Sequence, residues 1–220
     1  MYLLELGGED DAFAAREAAS AATGVDRIAP GLAVADAIVP ARVRGLAYTH
    51  RASELVGRGD ADLASARAIL EAAAIDREGT VAVRATDVHG TSGVSTEHAE
   101  RELGQVLVDR GFAVDLDDPD HCLRAVFAEG PLENDDSVCE SLEDDGDAPT
   151  GKEVSVCALG WLEAESVRDF GARAPTDKPF FQPGSMDPLL ARAVANIAGA
   201  RPGATILDPM CGTGGVLVEA

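Results

Sequence analysis

The sequence predicts an α/β chain. Three observations carry that prediction: short apolar strands alternate with amphipathic helices along most of its length, no segment repeats, and residues 204–220 (ATILDPMCGTGGVLVEA) spell a strand, a glycine turn and the start of a helix. The last of these is the sequence form of a ligand corner. The strand ends at the carboxylate of Asp208. Glycines let the backbone approach a ligand and adopt φ values that a Cβ disfavours, and a helix start offers unpaired N–H groups.

Residues 2–6 (YLLEL) read as a strand, and 9–23 as a helix that is acidic in its first turn and closed by Gly24. Residues 25–29, 32–39 and 46–50 read as three further extended pieces. A helix over 60–75 has Asp60 or Asp62 as cap and Leu63, Ala66, Ile69, Leu70 and Ala73 on one face. A strand at 79–86 precedes a loop from Gly90 to Gly93. Ser95 or Thr96 then caps a helix over 96–110, striped by Ala99, Leu103, Val106 and Leu107 and closed by Gly111. Strands are expected at 112–116, 122–128 and 154–162. Between them, residues 131–153 hold nine acids against one Lys, the composition of a hairpin tip lengthened into a solvated loop. Four prolines mark 171–188 as extended, and a helix follows over 187–199 with Pro188 in its first turn.

The 220 residues leave room for two small domains or one large one. No apolar run reaches the 18 residues of a membrane span, and the N-terminus has no secretory pattern. Cys122, Cys139, Cys157 and Cys211 are widely spaced, as are His50, His89, His98 and His121. Neither set has metal-ligand spacing, so no metal site is expected and a cytoplasmic chain with reduced thiols is the simplest reading. Charge is the outlier. There are 39 Asp and Glu against 18 Lys and Arg, a net of −21, and only Lys152 and Lys178 among the cations are Lys. Such an acidic excess suggests a protein of a high-salt cytoplasm. There a Debye length of roughly 3 Å at about 1 M salt screens the self-repulsion.

Two stretches carry a family resemblance. DKPFFQPGSMDPLLARAVANIA (177–198) followed by ILDPMCGTGGVLVEA (206–220) resembles the opening of S-adenosylmethionine-dependent methyltransferases that act on guanosine amino groups in RNA. The similarity is greatest to archaeal tRNA guanosine-N2 methyltransferases carrying a THUMP domain. Upstream, TVAVRA (80–85), TEHAERELGQVLVDRGFAVDLDDPDHCLRAVF (96–127) and EVSVCALGWL (153–162) resemble a THUMP core. The resemblance implies an N-terminal ferredoxin-like unit (1–50), a THUMP RNA-binding domain (51–164, with the acidic insertion 131–153), a linker (165–185) and the start of a Rossmann-like methyltransferase domain (186–220).

It also implies roles. S-adenosylmethionine would be the cofactor, held by Asp208, Pro209, Cys211, Gly212, Thr213 and Gly214, with Phe181, Pro183 and Ser185 as the opposite wall. Neither GxGxxG nor GK[ST] is present, as suits a ligand without pyrophosphate. Cys211 has no basic sequence neighbour to activate it, and no nucleophilic role is expected. The partner would be tRNA, and Arg84, Arg101, Arg110, Arg124 and Arg173 are the candidate contacts, each set against the plainer reading of a surface Arg paired with an acid. The family's Asp/Asn-Pro-Pro-aromatic catalytic motif does not occur in these residues, so no catalytic residue is assigned and the chain is expected to be an inactive N-terminal fragment on its own. The alternatives are a non-catalytic THUMP module, an rRNA guanosine-N2 methyltransferase, or a DNA amino-methyltransferase that would share the corner without needing the THUMP core.

Overall fold

The computed structural model describes residues 1–132, 151–174 and 184–220. Eight of its ten strands form a single mixed sheet. The first half-sheet is built by β1 (Tyr2–Leu6), α1 (Asp11–Ala18), β3 (Asp26–Ala29), β4 (Leu32–Ala35), α2 (Pro40–Val43) and β6 (Thr49–Gly59). Two short strands, β2 (Ala22–Thr23) and β5 (Ala37–Ile38), pair apart from it. The order β3-β4-β1-β6 with every neighbour antiparallel is the βαββαβ arrangement of a ferredoxin-like unit.

The sheet does not stop there. β6 pairs with β1 on one side and with β10 (Lys152–Glu165) on the other. β10 pairs with β9 (His121–Leu132), β9 with β7 (Thr80–Asp87), and β7 with the two-residue β8 (Ala113–Val114). The boundary expected near residue 50 therefore falls at the start of a strand that serves both halves.

Four helices lie on one face. Ala14, Ala18 and Val43 of α1 and α2 pack on Leu4, Leu6, Ala33 and Ala52. Helices α3 (Leu63–Ala72) and α4 (Thr96–Asp109) bring Ala66, Leu70, Leu103 and Leu107 against Val83, Leu123, Phe127 and Leu159. Full burial of each Leu, Val or Phe among these is worth about 1.5–3 kcal/mol relative to exposure. The opposite face curls on itself: Ile28, Leu32 and Val34 meet Val126, Ala128 and Ala158, so β3 lies over β9 and β10.

Local chemistry explains most element ends. Asp62 caps α3 by accepting the Ser65 N–H at 2.7 Å, Ser95 caps α4 through the His98 N–H, and Gly111 leaves α4 at φ +98°. Several expectations need correction. The first helix ends at Ala18, because Ala22 and Thr23 pair with Ala37 and Ile38 instead of extending it. The second stops at Ala72, and the piece expected over 32–39 is two strands broken at Asp36. The strand expected over 46–50 starts at Thr49 and runs to Gly59, where Glu54, Gly57, Arg58 and a register shift blur its alternation. Beyond β8, residues 115–116 do not pair as strand. Residues 204–208 are no strand either: among the described residues nothing provides them with a ladder partner, and Leu207 is exposed. Most of the acidic insertion lies outside the described residues, but Leu132 pairs with Lys152, so it joins two strands of a hairpin.

Candidate functional site

After β10 the chain makes a short 3-10 turn at Phe170–Arg173, and α5 (Pro188–Ile197) follows. Asp187 caps α5 by accepting the Leu189 N–H at 2.8 Å, with Pro188 in the first turn. Its buried alanines, Ala191, Ala193 and Ala195, allow close approach to α1 on one side and α6 (Gly215–Glu219) on the other.

The glycine turn sits between these helices. Asp208 Oδ1 accepts the Met210 N–H at 2.9 Å, so the carboxylate shapes its own loop. Gly212 and Gly214 both take left-handed conformations, φ +51° and +75°, and the Gly214 N–H closes on the Cys211 carbonyl at 2.7 Å. No heavy atom lies within 4 Å of where a Cβ would stand on either glycine. That open space is what a backbone-hugging ligand uses.

Sequence reasoning placed Ser185 across from this turn, and the structure brings the two together. Ser185 Oγ lies 3.1 Å from Thr213 Oγ1, and a cleft of about 210 Å³ is lined by Ser185, Met186, Asp208, Met210, Cys211, Gly212 and Thr213 among others. Gly214 shapes the turn without lining the cleft, Pro209 is exposed beside it, and Phe181 and Pro183 lie outside the described residues.

Two supporting residues, Glu219 and Arg192, were not anticipated, and Arg173 joins them. Glu219 is fully buried and accepts from Arg173 (Nε 2.6 Å, Nη2 3.1 Å) and from Arg192 of α5 (Nε 3.2 Å). This ion cluster pins α6 to α5 and to the 3-10 turn. The only hint in the sequence was a Glu set among apolar residues at the helix end, a weak signal. It also changes the reading of Arg173, whose second partner is Asp169 at 2.9 Å.

The other candidate contacts for nucleic acid fare unequally. Arg124 is a core residue: it makes a two-pronged bond to Glu5, 2.7 Å on each prong, and a third to Thr86 Oγ1. No phosphate reaches it. Arg84 bonds the Leu116 carbonyl, Arg101 pairs with Glu97 one turn earlier on an exposed face, and Arg110 caps carbonyls of α3. Among the described residues, Arg16, Arg42, Arg44 and Arg58 carry no ion pair or side-chain hydrogen bond, and the first three lie on or beside the helices of the N-terminal unit. A larger cleft of about 710 Å³ lies over Trp161, where the Arg77 guanidinium stacks 5.3 Å from the ring and pairs with Glu54. Its lining adds Asp76, Glu78 and His121 but no Ser, Thr or Cys that could act as a nucleophile. Among the described residues no group of three or more His, Cys, Asp or Glu can hold a metal ion.

Residues 175–220 match the family model described as UPF0020, RMKL-like, methyltransferase domain. The chain is 35% identical over 177 residues to a tRNA (guanine(10)-N2)-dimethyltransferase of Methanothermobacter thermautotrophicus, covering 80% of this chain and 45% of that protein. It is 31% identical over 153 residues to the protein of the same name in Methanocaldococcus jannaschii, covering 66% of this chain and 36% of that one. Among solved structures, that of TrmN from Thermus thermophilus aligns with 99% of this chain and 60% of its own at a TM-score of 0.53 and 22% identity, a likeness of fold. The chain spans less than half the length of either dimethyltransferase. The resemblance drawn from the residues is thus borne out: the chain is a relative of archaeal tRNA (guanine(10)-N2)-dimethyltransferases, and its C-terminal stretch matches the methyltransferase-domain family they suggest.

Proposed function

We propose that the chain forms the RNA-binding part and the first cofactor wall of an S-adenosylmethionine-dependent enzyme that methylates the N2 amino group of a guanosine in tRNA. The observation that carries this reading is the cleft at which Ser185 meets the Asp208–Thr213 turn.

The residues present fit the amino-acid end of that cofactor. Asp208 uses one oxygen on Met210 and has no partner on the other among the described residues, which leaves it for an ammonium group. Gly212 and Gly214 keep side chains out of the cradle. The cleft is smaller than the roughly 300–1,000 Å³ of common small-molecule sites, room for the methionine end alone. Phe181, Pro183 and residues outside this chain would supply the rest. When bound, the cofactor supplies an electrophilic methyl on a sulfonium.

The acceptor nitrogen has its lone pair delocalised into the guanine ring. Its attack requires hydrogen-bond acceptors on the amino group of an unstacked base. An Asp/Asn-Pro-Pro-aromatic segment would provide them and does not occur in these 220 residues. Turnover is therefore assigned to residues outside the chain. The proposed domains are a ferredoxin-like unit over 1–50, a THUMP domain over 51–164, a linker to 185 and the cofactor domain from 186, with β6 joining the first two in one sheet. RNA contact is assigned to Arg84 and Arg101, joined by Arg16, Arg42 and Arg44, which carry no ion pair among the described residues. Arg forks and 2′-hydroxyl contacts suit a binder whose long-range attraction is screened by salt.

The names of the relatives favour tRNA over rRNA, and a purely RNA-binding module has no use for the glycine cleft. No described helix is long and apolar enough to cross a membrane. A tRNA substrate and free thiols at Cys122, Cys157 and Cys211 support a cytoplasmic setting, and the net charge of −21 a high-salt one. Calorimetric titration with S-adenosylmethionine in molar KCl tests the reading: Asp208→Ala should weaken binding at least tenfold, and an unchanged affinity would remove Asp208 and the cleft from the assignment.

A further inference from the structure

We propose that Asn196 of α5 is a positioning residue that locks the methyltransferase opening onto the N-terminal unit, through a socket formed by Glu17 and the loop 44–48. The proposal rests on reading residues 184–220 as the cofactor wall.

The loop 44–48 is a junction of three parts of the molecule. From within the N-terminal unit, the Glu17 carboxylate of α1 accepts the N–H groups of Ala47 and Tyr48, both at 2.7 Å. From the exit of the large sheet, Val167 N–H donates to the Arg44 carbonyl at 2.9 Å and Arg168 Nη1 donates to the Ala47 carbonyl at 2.9 Å. From α5, the Asn196 side-chain amide donates to Glu17 Oε1 at 2.7 Å and to the Gly45 carbonyl at 3.0 Å. Glu17 is fully buried, so each donor matters: a carboxylate taken out of water without partners is costly. Among the described residues, Asn196 is the one donor of Glu17 that comes from beyond the sheet, 179 positions along the chain. It spends both amide hydrogens on the socket, which fixes the rotation of α5 about its own axis as well as its distance from α1.

The other flank of α5 sets what that orientation controls. Arg192, one turn before Asn196, holds Glu219 of α6, and α6 begins at Gly215, which lines the cleft. A single helix thus links Glu17, in the unit assigned to RNA, to the glycine turn assigned to the methyl donor. Both sites can remain intact when the link is broken; what changes is the angle between them. Methyl transfer needs its two reacting atoms aligned to within a fraction of an ångström, and misplacement by about 1 Å can cost roughly a hundredfold in rate.

The test uses the protein that carries these residues together with the remainder of its methyltransferase domain, in molar KCl. In Asn196→Ala, amide exchange of Ala47, Tyr48 and the α5 backbone should speed up at least tenfold, with β6, β9 and β10 unchanged. The kcat on tRNA should fall about tenfold, while the KM for tRNA and the affinity for S-adenosylmethionine stay within about twofold. Asn196→Asp, which sets a second carboxylate against Glu17, should exceed the alanine variant in both effects; if it fails to fold, the alanine variant decides. Unchanged exchange with unchanged kcat overturns the proposal. So does a loss of donor affinity as large as the loss of turnover, since Asn196 would then serve the fold of the cleft alone. If the unmodified protein binds no S-adenosylmethionine, the functional reading fails, and the exchange measurement still decides whether Asn196 is the lock.

Discussion

Individual side chains divide into those whose neighbours could be read from the sequence and those whose could not. Asp62, Ser95 and Asp187 cap helices because their partners lie two or three residues on, within reach of local rules. Ser185 and Thr213 were matched by family resemblance, and they do meet. Arg124 was placed on the surface because Arg usually is; its partner Glu5 lies 119 positions away, and no local pattern reports that. His50 also belongs to this scale. Burial, with Arg168 and Arg51 nearby, holds its pKa below the usual 6.5. The unfolded chain therefore takes up a proton first as pH falls. The stability this His contributes is complete above about pH 6.5 and is lost as pH drops through the lower folded value. Denaturant midpoints of the wild type should decline relative to those of His50→Gln from about pH 7 to 5.5; parallel curves would contradict the shift.

Secondary elements were legible where their period was clean. Helices α3 and α4 and strands β1 and β7 appear close to where apolar spacing put them. β6 was half missed, because a strand shared by two half-sheets carries Glu54, Gly57 and Arg58 where alternation would call for other residues. Its glycine neighbour shows why the space matters. A Cβ on Gly160 of β10 would stand 2.8 Å from Ser53 Cβ and 3.0 Å from the Glu54 carbonyl oxygen, both on β6. Backbone cannot yield as a flexible side chain does. Gly160→Ala should destabilise by about 1–3 kcal/mol, read as a lowered denaturation midpoint with an unchanged m-value; a neutral substitution would mean that the two strands separate easily.

At the scale of the whole molecule, composition announced the charge and could not announce the joint. A net of −21 is readable at once. That α5 is clamped between Glu17 and Glu219 depends on contacts spanning most of the chain. Charge leads to a separate expectation: because acids outnumber bases about two to one, repulsion should loosen the fold in dilute buffer. Circular dichroism should gain native signal as KCl rises to molar levels, and a signal already complete without salt would refute the high-salt reading.

The two rims of the large sheet bear on the same condition. One is β3, four residues long and folded over β9 and β10; the other is β8, with two. In brine, mutual charge no longer holds neighbouring copies apart, and an open strand margin would be an invitation to polymerise. A rim of two exposed residues on one side and a strand folded back over the sheet on the other would leave little free edge for such pairing.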